Sequence, residues 1–134
     1  MLFTPGLEQL DPALLAFVKC HVTSSVKWEV LRTLAYHDGA WVRADQMAHG
    51  THRHPSDIAR AVAELANDGV VEVLPSDAAG EATCRLPADE PTSVVLHRLI
   101  EATTHSQEMR EIIAAHLQHV RQQAAQAVGA PGAA

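Results

Sequence analysis

Apolar residues recur at three- and four-residue intervals in five stretches of the chain, and each such stripe predicts an amphipathic helix. Leu14, Leu15, Phe17 and Val18 mark the first, opened by Asp11 as cap with Pro12 in the first turn and ending near His21. Thr23, Ser24 and Ser25 offer caps for the second, in which Val26, Val30, Leu31, Leu34 and Ala35 form the stripe, Trp28 covers its edge and Asp38-Gly39 closes the helix. The third runs from Pro55 to Asp68, with Ile58, Val62 and Leu65 inward, Ala59, Ala61 and Ala66 as small fillers, and Gly69 as the left-handed stop. Val94, Val95, Leu96, Leu99 and Ile100 make the fourth, and Met109, Ile112, Ile113, Leu117 and Val120 the fifth. Between these two, Thr104 to Gln107 (THSQ) has the form of a capping box, which predicts a break near His105.

The remaining segments read as short β elements and connections. Ala40, Trp41 and Val42 suit a short strand, Asp45 to His49 a short helix, and Val70 to Leu74 with Ala82 to Leu86 a hairpin closed by a polar loop. The chain is therefore read as mainly α with a small β-hairpin. The closing AVGAPGAA, residues 127–134, reads as a disordered tail.

The stretch MAHGTHRHPSDIARAVAELANDGVVEV resembles the helix-turn-helix of bacterial winged-helix regulators of the MarR and ArsR type. The resemblance covers roughly residues 24 to 88. It implies Met47 and Ala48 in a supporting helix, Gly50 in the turn, Pro55 to Asp68 as the recognition helix, and Gly69-Val70-Val71 leading into a wing. The implied fold is a winged helix-turn-helix over 24–90, with an N-terminal helical extension over 1–23 and C-terminal helices over 91–126 that serve dimerisation. The implied function is a transcriptional regulator that binds double-stranded DNA through the major groove. Its DNA-facing positions would be His52, Arg53, Ser56, Asp57 and Arg60. Arg60 suits a bidentate contact to guanine or a phosphate clamp, Ser56 donates to either, and His52 and Arg53 lie where the backbone passes. Asp57 can accept from cytosine or simply favour the helix start.

Charge complicates that expectation. The 134 residues carry ten Lys and Arg against sixteen Asp and Glu, a net charge of -6. Between Ser24 and Glu90 six bases (Lys27, Arg32, Arg43, Arg53, Arg60 and Arg85) face eleven acids, and the loop Ser76 to Glu81 has no base. DNA affinity rests on neutralising phosphates, so an acidic wing weakens it. The alternative is a winged helix without DNA binding whose acidic surface contacts another protein.

Terminal helices with apolar stripes need a surface to cover them, and pairing about a twofold axis predicts a homodimer; packing on their own domain is the other solution. Two cysteines, Cys20 and Cys84, are too few and too far apart for a disulfide framework and read as reduced core thiols. Neither an export signal nor a membrane-length apolar run is present in the sequence, so no membrane association and a cytoplasmic location are expected.

Nine histidines suggest metal chemistry. His49, His52 and His54 lack a fourth donor nearby and read as solvent-facing, while His105, His116 and His119 fall on one side of an ideal helix. Their spacing is similar to the C-terminal-helix site of ArsR-type zinc and nickel sensors, in which a DxH pair meets a pair from the partner subunit. The carboxylate position is Thr103 in this chain, which is no strong ligand, so no metal or cofactor is expected. There is no Gly-rich phosphate loop, HExxH, GxSxG or base-flanked cysteine, and the chain is not read as an enzyme.

Overall fold

The computed structural model describes residues 10–74, 82–88 and 90–132, with side chains through residue 125. The loop Ser76 to Glu81, on which the acidic wing tip was placed, lies outside the described residues, as do residues 1–9 of the N-terminal extension. In chain order the elements are α1 (Pro12–His21), α2 (Ser25–Tyr36), β1 (Val42–Arg43), α3 (Ala44–Thr51), α4 (Pro55–Asn67), β2 (Glu72–Leu74), β3 (Thr83–Arg85), α5 (Pro91–His105) and α6 (Gln107–Gly132). The chain is mainly helical with a small three-stranded antiparallel sheet of order β1-β3-β2.

Local chemistry accounts for most boundaries. Asp11 accepts a hydrogen bond from the Ala13 amide at 3.2 Å and Ser24 one from Lys27 at 3.1 Å, the two caps expected. After α2, both Asp38 (φ 49°) and Gly39 (φ 86°) are left-handed, and this double reversal delays β1 to Val42 and leaves Trp41 outside it. Gly50 is inside α3, and the turn before α4 is made at His52 (φ 57°) instead. Asp68 caps α4 and Gly69 (φ 78°) reverses the chain, as read. Val70 and Val71 are buried before the ladder begins at Glu72, so the hairpin is shorter than its apolar run. The break between α5 and α6 falls at Ser106, whose hydroxyl accepts from the Met109 amide at 3.2 Å. Helix α6 continues through Gly132, past the boundary set at 126; Ala124, Ala125 and Ala127 are strong helix formers and no Pro interrupts the helix between Gln107 and Ala130.

One core joins all six helices found among the described residues. Helix α4 lies at its centre, with Ile58 and Leu65 wholly buried and Ala61 and Val62 nearly so, against Val30, Leu31 and Leu34 of α2 and Met47 and Ala48 of α3. Beneath it, α1 packs on α5 through Leu14, Phe17, Val18, Leu96 and Leu99. Ile112 and Ile113 of α6 close the bottom against α5. The stripes of α1 and α5 are thus covered within one protomer, so the inference of a homodimer from uncovered stripes loses its premise. Cys84 is a core thiol, which burial pushes up to about 11. Cys20 is exposed, contrary to its reading as a core residue, because its position on α1 faces away from α5.

Candidate nucleic-acid interface

Helix α4 buries one side completely and presents the other. Pro55 supplies a fixed φ at N1, and His54 acts as the cap, its Nδ1 accepting from the Ser56 amide at 3.1 Å and from the Ser56 hydroxyl at 2.7 Å. This role for His54 was not legible, because a histidine rarely stands where Ser, Thr, Asp or Asn cap. Ser56, Asp57, Ala59, Arg60 and Ala63 form the exposed face, and the two alanines leave its middle low. Behind its leading end stand the left-handed His52, exposed, and the α3 helix.

The five residues expected to face DNA divide into two groups. His52, Ser56, Asp57 and Arg60 are all exposed near the start of α4, and Arg60 has no hydrogen bond or ion pair among the described residues. Arg53 is different. Its guanidinium is clamped by Glu29 of α2, with Nε and Nη2 donating to the two carboxylate oxygens at 3.3 and 3.1 Å, and about two-thirds of both side chains is covered. The hydrogen bonds that Arg53 donates to Glu29 hold it even more firmly in its charged form. Arg53 therefore ties the α3–α4 turn to α2 and is not a free phosphate contact, which corrects its reading.

Other bases in this region are also occupied. Lys27, largely buried, reaches Glu64 of α4 at 2.8 Å and Thr23 Oγ1 at 3.0 Å. Arg43 pairs with Asp45 at 2.8 Å. Arg85 of β3 lies 4.4 Å over the Trp41 ring and pairs with Glu72 of β2 at 3.0 Å, so a row Trp41–Arg85–Glu72 crosses the sheet. Of the six bases between Ser24 and Glu90, Arg32 and Arg60 remain unpaired among the described residues. No sequence-local signal marks Glu29 as partner of Arg53, 24 positions away, or Glu64 as partner of Lys27.

The histidines do not assemble a metal site. His116 is 1% exposed, its Nε2–H donating to the Val22 carbonyl at 2.8 Å, so it is a core residue and not a ligand on an open helix face. His105 ends α5, across the break from α6, and Thr103 is buried with its hydroxyl on Ile100 O at 2.9 Å. Among the described residues no group of three or more His, Cys, Asp and Glu is placed to hold a metal ion. His49 and His54 are exposed as expected. No helix among the described residues is long and apolar enough to cross a membrane.

A groove of about 1020 Å³ lies elsewhere, between α2, α5 and α6, lined in part by Trp28, Arg32, Tyr36, Ile100, Ile113 and Leu117. Tyr36 stands 82% exposed at its rim. Comparison with known proteins found no matching family model, no similar curated protein and no similar solved structure.

Proposed function

We propose that this chain is a winged helix-turn-helix regulator of transcription that reads double-stranded DNA with the leading half of α4. The observation that carries the reading is the outward face of that half-helix: exposed, low in profile, seated on a fully packed rear side, and carrying the unpaired Arg60. The order of elements supports it, because β1, α3, α4 and the β2–β3 hairpin follow one another along the chain as strand, supporting helix, recognition helix and wing do in that fold. Two copies bound about a twofold axis of the duplex would set their α4 edges one helical turn of DNA apart, roughly 34 Å. The sites of action are cytoplasmic, on bacterial DNA.

One observation favours a second reading. With Lys27, Arg43, Arg53 and Arg85 engaged by carboxylates, few bases are left for phosphate, and the same exposed face would serve a protein-contact module without DNA binding. Selection from randomised duplexes at moderate salt separates the two. Enrichment of a two-fold symmetric sequence, with binding reduced at least about tenfold by Arg60→Ala, is expected from one lost bidentate contact. Absence of any enriched sequence overturns the DNA reading in favour of the protein-contact one.

A further inference from the structure

Two neighbouring residues at the end of α1 are gripped from opposite sides by different helices. Val22 gives its carbonyl to His116 of α6, and because a carbonyl only accepts, the neutral ring must carry its hydrogen on Nε2. The other nitrogen, Nδ1, is buried and has no hydrogen-bond partner among the described residues. The preceding residue, His21, also has a buried Nδ1 without a hydrogen bond, set 4.0 Å from Asp68 Oδ2 at the cap of α4 and with its ring edge-on to Phe17 at 5.0 Å. Unpaired buried polar atoms are uncommon, and two imidazole nitrogens of this kind flanking one two-residue segment call for an explanation.

We propose that the end of α1 is a proton-operated joint, in which acidification loosens the hold of α6 on Val22, while Asp68 of α4 offers a proton on His21 the partner that His116 lacks. A proton reaching His116 lands on Nδ1, where no acceptor meets it; Lys19 of α1 and His119 of α6, the other charged or titratable groups facing this ring, add like charge. Burial accordingly depresses the affinity of His116 for a proton below the ordinary value of 6.5. A proton on Nδ1 of His21 is met differently. Asp68 lies in reach, and closing the gap from 4.0 Å to the roughly 2.8 Å of a charged hydrogen bond needs a small shift. Lys27, the remaining charge facing His21, is itself held by Glu64. Burial lowers the proton affinity of His21, and Asp68 opposes that lowering.

The sign follows from linkage. His116 takes up a proton less readily when packed, so its contribution is fully present above pH 6.5 and is lost as the pH falls below that value, where the opened ring is protonated ahead of the closed one. Local opening of α6 then rises as the pH falls from 7.5 to 5.5. The joint is independent of whether α4 reads DNA, and its test uses the chain alone. Hydrogen exchange of the full chain, normalised to intrinsic rates, is expected to show a loss of protection around Ile112 to Val120 over that range while α4 keeps its protection. His116→Gln, which retains a donor for Val22 but no titrating ring, is expected to remove the pH dependence. An unchanged pH dependence in that variant, or none in the parent, overturns the proposal. Should His116→Gln not fold, NMR titration of the parent decides: a His116 midpoint below 6.5 supports the joint, and one at or above 6.5 sinks it. Asp68→Asn is expected to lower the midpoint of His21, and an unmoved midpoint removes α4 from the joint.

Discussion

At the scale of single residues, pairing decides which charges are free to act. Glu29 and Arg53 are each about one-third exposed, and removing the pair with Arg53→Ala is expected to cost about 1 kcal/mol in chemical denaturation, at the upper end for partly solvated ion pairs. Glu29→Gln tests a functional consequence of the same clamp. Released from Glu29, Arg53 is expected to gain one phosphate, steepening the dependence of log K on log salt by about 0.9. A slope that does not change shows that the turn faces away from the duplex. The two thiols supply a further check, because Cys20 is exposed and Cys84, pushed up to about 11 by burial, stays protonated at neutral pH. Iodoacetamide is expected to modify Cys20 in the native chain, and Cys84 only after denaturation, read by mass spectrometry of peptides. Residue types alone pointed correctly to Arg60, Ser56 and Asp57 as exposed. They did not reveal that Arg53, equally basic and closer to the turn, was already engaged, since its partner is on another helix.

At the scale of elements, the helices were legible where stop signals are strong and local. Pro55 and Gly69 bracket α4 so firmly that its observed span, Pro55–Asn67, lies within one residue of the reading, and its apolar stripe is the buried side. Leu65, fully buried where α4 meets its neighbours, is the most sensitive position of that stripe; Leu65→Ala is expected to cost about 3 kcal/mol in denaturant melts. The cap at His54 is replaceable: His54→Ala is expected to lose about 1 kcal/mol, and His54→Ser to recover most of it. Boundaries set by turn conformations were less legible. Glycine is the usual occupant of a left-handed turn, yet Gly50 stays helical and His52 takes that role, a choice made by packing of α3 and not by intrinsic preference. The row Trp41–Arg85–Glu72 likewise depends on sheet register, which brings Glu72 opposite Arg85 from thirteen positions away.

At the scale of the whole molecule, the terminal helices complete the core of their own protomer. Helical periodicity identified the stripes of α1 and α5 but not what covers them, because periodicity carries no information on partners. The groove between α2, α5 and α6, with Tyr36 at its rim, was invisible to the sequence reading for the same reason. A chain this acidic, with Arg60 as the unpaired base on the outward face of α4, is expected to bind duplex with a shallow salt dependence, about −0.9 in log–log slope per protomer. A much steeper slope would require the carboxylate pairs to open on binding. The central claim is that the leading half of α4 is the recognition surface. Its most direct test is an amide NMR map of the chain titrated with the duplex that selection enriches. The account predicts that the largest shifts cluster at His52 to Arg60 and that Arg60→Ala weakens them at a given duplex concentration; shifts confined to the groove between α2, α5 and α6, with α4 unmoved, would contradict it.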